Sequence, residues 1–208
     1  MQKIYLVRHG ETNWNRQLRY QGQGDIPLNE EGCRQAKCIA DYLAREKIET
    51  VYSSPLSRAR ETAALVAEKH CLELFVENGL MEIDFGEWEG RSYNELKKEE
   101  QDFAERWFYN PDTITIPGGE SYSSFKVRVL DGYERIRHTD KNIAVVTHAG
   151  VIRVIVATVL DMPAANITRL KLSPASLTVL LYDDWENPYL ELFNDSCYLQ
   201  DNEKKNVE

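Results

Sequence analysis

The feature that most constrains this chain is the alternation of short apolar runs with longer stretches of helical period. Residues 4–7 form a four-residue apolar run that stops at Arg8. Beyond Asn29, an N-cap residue, Ala36, Ile39, Ala40 and Leu43 recur at i, i+3, i+4 and i+7, which predicts an amphipathic helix. Residues 49–52 predict a second strand, Thr62, Ala63, Val66 and Ala67 a second helix, and residues 72–76 a further strand. Residues 142–147 are the clearest late strand, leading into a helix over 151–160 opened by Gly150, and residues 177–182 and 189–193 close the chain as two strands, a hairpin. Strands separated by helices assemble into parallel sheets, because parallel neighbours need a long crossover. The expectation is an α/β fold: a mostly parallel central sheet flanked by helices in three layers.

One stretch breaks the alternation. Between Asp84 and Ser121 lie Phe85, Trp88, Tyr93, Phe103, Trp107, Phe108 and Tyr109, then Pro117-Gly118-Gly119-Glu120. This reads as a helical cap inserted at about 84–121, with aromatics that simply pack on the sheet as an equal alternative. The 208 residues suit a single domain over 1–200, and the polar, charged residues 201–208 a flexible tail.

Composition removes several classes. Lys and Arg number 25 against 34 Asp and Glu, a net charge of −9, which argues against nucleic acid as a partner. No segment approaches the ~20 apolar residues that span a bilayer, and the apolar run after Met1 is too short for a signal-peptide core, so a cytoplasmic enzyme with no membrane partner is expected. Cys33, Cys38, Cys71 and Cys197 have no regular spacing and are read as reduced thiols, mostly packing. His9, His70, His138 and His148 form no metal-ligand pattern, so chemistry without a metal is expected, and His70 and His138 are read as solvated.

The chemistry-bearing residues fall at three predicted strand ends: Arg8-His9-Gly10-Glu11-Thr12, Ser53-Ser54-Pro55-Leu56-Ser57-Arg58, and Thr147-His148-Ala149-Gly150. In open α/β sheets ligands bind beyond the carboxyl ends of the strands, and the helix start at Ala149 favours an anion there. Guanidinium forks match a phosphoryl group, so Arg8 and Arg58 would clamp it. A neutral His9 would take it as a phosphohistidine, Gly10 would permit close approach, and His148 would hold an oxygen. A carboxylic acid would protonate the leaving group. For His148 a helix-capping role is an equal alternative, and Arg58 taken alone also fits a helix surface.

The run from Leu6 to Thr12, with Trp14-Asn15 after it, resembles the signature of the histidine phosphatase superfamily, which includes the cofactor-dependent phosphoglycerate mutases. The stretches 52–59, 80–90 and 146–150 resemble its later motifs in the same order. The resemblance implies that His9 is the phosphorylated nucleophile, that Arg8, Arg58 and His148 form the phosphate pocket, and that Glu82 is the proton donor, with Asp84 its rival. It also places Asn15, Gln21, Gly22 and Ala149 on the substrate side. Residues 19–28, 82–90, 117–121 and 192–197 are most similar to alpha-ribazole phosphatases. The function this implies is a cofactor- and metal-independent phosphomonoesterase of a small metabolite, alpha-ribazole 5′-phosphate first, with a homodimer as an allowed assembly. The competing functions are a phosphoglycerate mutase, a broad-specificity or phosphoprotein phosphatase, and a catalytically silent phospholigand-binding module. The mutases carry longer chains and Arg-x-Tyr-Gly after the acid, where this chain has Ile83-Asp84-Phe85-Gly86, which favours hydrolysis.

Overall fold

A computed structural model describes residues 1–99 and 101–200; the tail expected at 201–208 lies outside the described residues. In chain order the elements are β1 (Gln2–Arg8), α1 (Asn13–Arg16), α2 (Glu30–Leu43), β2 (Thr50–Ser53), α3 (Ser57–Lys69) and β3 (Leu74–Val76). There follow α4 (Tyr93–Glu99), α5 (Gln101–Tyr109), α6 (Tyr122–Arg137), β4 (Ile143–Thr147), α7 (Ala149–Val159), β5 (Leu177–Tyr182) and β6 (Pro188–Asp195). The six strands form one sheet in the order β3-β2-β4-β1-β5-β6. The first four run parallel, whereas β5 is antiparallel to β1 and β6 antiparallel to β5.

The central strand explains the layering. Ile4 to Val7 are all buried, as expected of a strand covered on both faces. The side-chain alternation sends Ile4 and Leu6 into one apolar cluster with Val129 of α6 and Ile155 of α7. Tyr5 and Val7 join a second cluster with Ile39 of α2 and Val66 of α3. β4 sorts the same way, Ile143 and Val145 to the first cluster and Ala144 and Val146 to the second. This is the three-layer arrangement expected.

Local signals set the helices. Asn29 caps α2, its side-chain oxygen accepting the Gly32 N–H at 2.8 Å, and Glu30 and Glu31 in the first turn suit the positive end of the helix dipole. Ser121 caps α6 through the Ser124 N–H at 3.1 Å. Among the described residues no helix is long and apolar enough to cross a membrane.

Within 84–121, Trp88, Leu96 and Ile116 are buried in the α6/α7 cluster. Trp88 meets Phe103 edge-on at 5.6 Å and Trp107 at 6.3 Å, and Trp107 meets Phe85 at 6.0 Å. Two sequence expectations need correction. Only Cys38, on the apolar stripe of α2, is buried, while Cys33, Cys71 and Cys197 are exposed thiols rather than packing residues. His70 is not solvated: it is half-buried at the C-cap of α3, where the chain reverses at Cys71 with φ of 54°, and its Nε2 is enclosed without a partner.

Candidate active site

Because β1 and β4 are parallel neighbours, the residues that follow them meet at one edge of the sheet. The His9 N–H donates to the Thr147 carbonyl at 2.9 Å, and the His9 carbonyl accepts the Ala175 N–H at 3.0 Å, so its backbone is pinned from both sides. Its Nδ1 lies 2.7 Å from the Gly10 carbonyl. A carbonyl only accepts, so Nδ1 carries the proton and Nε2 keeps its lone pair. Burial first, then the Arg58 and Arg8 charges, hold the imidazole pKa well below its usual value, so the ring is neutral at pH 7.

His148, at the N-cap of α7, is fully enclosed, and its ring lies 5.2 Å from that of His9. Ser54 Oγ, which accepts the Leu56 N–H, sits 2.8 Å from His148 Nε2. With no other acceptor for the hydroxyl proton among the described residues, Ser54 donates to Nε2, which assigns the ring proton to Nδ1. Burial, then Arg58, depress this pKa well below the usual value too.

Arg8 and Arg58 come together at one cavity, and Arg58 is not a surface residue: it is fully buried in α3 and donates to the Gly24 and Gly22 carbonyls at 2.7 Å each. Arg8 donates to the Leu172 carbonyl. Burial lowers both guanidinium pKa values, that of Arg8 to about 10 with Arg153 as the second cause, and both stay charged at neutral pH. The Arg8 Nε, Arg58 Nε and His148 Nδ1 are buried with no partner. Unpaired buried donors cost ~1–3 kcal/mol each, and an anion with several acceptor oxygens removes that cost.

These groups open onto a cavity of about 230 Å³ lined by Arg8, His9, Asn15, Gln21, Gly22, Arg58 and Glu82, with Tyr20, Ile83, Phe85, Trp107, Tyr122, Phe125 and Ile167 as its largely apolar surround. The Asn15 side-chain oxygen accepts the Thr12 N–H at 3.0 Å and the Gln21 oxygen accepts the Thr12 hydroxyl at 2.9 Å, which leaves both amide nitrogens available. Of the residues expected at the site, His148 touches His9 without lining the cavity, and Ala149 does not line it.

Glu82 lines the cavity, and its carboxylate accepts the Gly150 N–H at 3.0 Å and the Ile83 N–H at 3.1 Å. A Cβ at position 150 would lie 2.1 Å from Glu82 Oε1, so this contact requires glycine. At the start of α7, where an anion is expected, the Gly150 N–H is taken by this protein carboxylate. Asp84 turns away: it accepts the Gly86 N–H at 2.8 Å and lines no part of the cavity. Gly10 also has a different reason from the one expected. A Cβ there would lie 2.5 Å from the Gly32 carbonyl oxygen, so packing on α2 by itself requires a glycine here.

Two site residues escaped sequence reasoning. Glu89 accepts the Gln23, Gly24 and Phe85 N–H groups at 2.7, 2.9 and 3.3 Å, holding the loop whose carbonyls grip Arg58. No spacing marks it among the many carboxylates. Arg153 lines the cavity, and it did have a signal, as the one charged residue in the otherwise apolar α7.

Comparison with known proteins adds to this geometry. The histidine phosphatase superfamily (branch 1) matches residues 4–196. Phosphoserine phosphatase 1 of Hydrogenobacter thermophilus is 35% identical over 201 residues, covering 96% of this chain and 95% of the relative. Among solved structures, Bacillus stearothermophilus YhfR superposes with a TM-score of 0.88 at 27% identity, covering 96% of this chain and 100% of that one. The alpha-ribazole phosphatase from Shigella flexneri does so with 0.83 at 27% identity, covering 93% and 96%.

Proposed function

Since the chain belongs to the histidine phosphatase superfamily and is a phosphoric monoester hydrolase of that type, we propose that it cleaves a small organic phosphate through a phosphohistidine at His9. The observation that carries the reading is the set of unpartnered buried donors on Arg8, Arg58 and His148 around the bare Nε2 of His9. In this mechanism Nε2 attacks phosphorus while the two guanidinium groups and the His148 Nδ1–H hold the non-bridging oxygens. Asn15 and Gln21 add amide donors. Glu82 protonates the departing alkoxide, then takes a proton from the water that releases phosphate from His9. The helix that holds its carboxylate keeps it at the leaving-group side.

Two substrate readings have support. A cavity of about 230 Å³ lies below the ~300–1,000 Å³ of drug-sized sites, which favours a compact ester such as the phosphoserine named for the Hydrogenobacter relative. Phe85, Trp107, Tyr122 and Phe125 on its walls, with the Shigella structure, favour alpha-ribazole 5′-phosphate, the substrate first expected from the motifs.

The test is phosphate release by the purified protein, with chelator present, from phosphoserine, alpha-ribazole 5′-phosphate, sugar phosphates, nucleoside monophosphates, 3-phosphoglycerate and a phosphopeptide. Wild type is expected to release phosphate and to form an acid-labile, base-stable phosphoenzyme that His9→Ala lacks. Phosphoglycerate isomerisation that depends on a bisphosphate primer, without release, would overturn the reading in favour of a mutase.

A further inference from the structure

The phosphate chemistry leaves one cation of the cavity unused. Arg153 is half-buried and lines the same space as Arg8 and Glu82. Its Nε donates to the Leu170 carbonyl at 2.8 Å, which fixes the plane of the guanidinium. Its two terminal nitrogens have no partner among the described residues, and no carboxylate there forms an ion pair with it. The neighbouring arginines differ: Arg19 pairs with Glu95 at 3.2 Å and Arg128 with Glu120 at 2.8 Å. Arg153 lies close enough to Arg8 to be the strongest charge acting on it.

Charge counting gives the excess its meaning. Apart from Arg19, which Glu95 neutralises, Arg8, Arg58 and Arg153 face one carboxylate, Glu82, in a protein whose net charge is −9. Glu82 must carry its proton to serve the leaving oxygen and is then neutral, and a phosphate dianion answers the two clamp arginines, so a third guanidinium held in a half-buried place calls for another negative charge on the ligand. Glu82 is the strongest charge acting on Arg153, and Glu82 is the group that would protonate the leaving oxygen. The extra anion therefore belongs to the leaving group, a few bonds from the ester oxygen. Thr168, in the turn 164–169 beside α7, lines the cavity as well and offers a hydroxyl.

We propose that Arg153, with Thr168, binds a carboxylate of the leaving group, so that the substrates are phosphate esters of short hydroxy- or amino-carboxylic acids. The planar fork matches a carboxylate in bidentate fashion, and the small cavity suits a three-carbon acid. This inference rests on the phosphohistidine reading above. It makes Arg153 a specificity residue for the leaving group.

Matched esters test it. kcat/KM is measured for phosphoserine against phosphoethanolamine and for 3-phosphoglycerate against glycerol 3-phosphate, pairs that differ at the carboxylate, with p-nitrophenyl phosphate as a common reference. Wild type is expected to favour the carboxylate partner of at least one pair by about 30-fold or more, the size of discrimination a buried charged partner supplies. Arg153→Leu should erase that preference, its kcat/KM falling on the carboxylate partner by at least about tenfold more than on p-nitrophenyl phosphate, and Arg153→Lys should restore part of it. No carboxylate preference in wild type overturns the proposal without any variant. An equal loss on every ester in Arg153→Leu, with an unchanged unfolding midpoint, also overturns it, by making the arginine a general electrostatic element. A wild type that hydrolyses none of the esters, p-nitrophenyl phosphate included, defeats the phosphohistidine reading itself.

Discussion

At the sheet edge, His9, Arg8 and Arg58 are held by backbone carbonyls and amides from three separate parts of the chain, whereas the segment 84–121 contributes Phe85 and Trp107 to the same cavity through ring-on-ring packing. Hydrogen bonds to the backbone fix direction as well as distance, so the first region places reacting atoms. Aromatic contacts tolerate several geometries of similar energy, so the second shapes a volume. In the proposed reaction, chemistry common to every substrate belongs to the edge, while the bulk of the leaving group is read by the wall and its charge by Arg153.

That division predicts a graded set of outcomes. His9→Ala should lower kcat by at least about 10³-fold on every ester, because the covalent route is lost while binding survives; acid-quenched labelling checks the missing phosphoenzyme. Arg58→Leu should lower kcat/KM by about 10²–10³-fold, also uniformly across substrates. Substrate-dependent losses in Arg58→Leu would break the division. Glu89→Gln, which alters the tie to Gln23 and Gly24 behind Arg58 and to the Phe85 N–H, should weaken the grip of the Gly22 and Gly24 carbonyls, with a stability loss of about 1–3 kcal/mol by denaturant titration and a smaller fall in rate.

Acid should weaken the edge before the wall. His9 and His148 are buried neutral, with pKa values held far below 6.5 in the folded state, while the unfolded chain titrates near 6.5. The unfolded state thus binds more protons as pH falls through 6.5. Stability contributed at neutral pH is lost below that point at up to about 1.4 kcal/mol per pH unit for each imidazole. His148→Gln should reduce that slope between pH 6.5 and 5.5 by about one proton's worth, read from unfolding free energies at several pH values. At the wall, Trp107→Leu should change the ranking of bulky and compact esters by about tenfold or less and leave p-nitrophenyl phosphate turnover near wild type.

The same contrast explains what could be read from residue order. Strand ends are local events, and an apolar run interrupted by Arg8-His9 announces itself because charge at that point needs a reason. The strands 4–7 and 177–182 and the stripe from Ala36 to Leu43 were legible for the same reason: period follows from burial. The partners of those groups were not. Glu89 reaches Gln23 and Gly24 across more than sixty residues, and Gly10 is fixed by Gly32 of α2, contacts that no spacing encodes. Glu82 was singled out over Asp84 only through family likeness; in the fold the two differ because Asp84 closes its own turn on Gly86 while Glu82 reaches α7. Arg153 was visible as a lone charge among Val151, Ile152, Val154 and Ile155, and its use depends on which way that helix faces.

The tie between Glu82 and the Gly150 N–H acts as a gauge block. His148 and Gly150 are two residues apart on one rigid helix start, so the span between the imidazole that would hold phosphate and the carboxyl that would supply the proton is set by a single turn of backbone. Exchange of the wall rings Phe85 and Trp107 leaves that span to the helix start, whereas Trp88 belongs to the core. A lineage that retunes its wall for a new alcohol inherits a working reaction centre, and drift in taste need not pass through a dead enzyme.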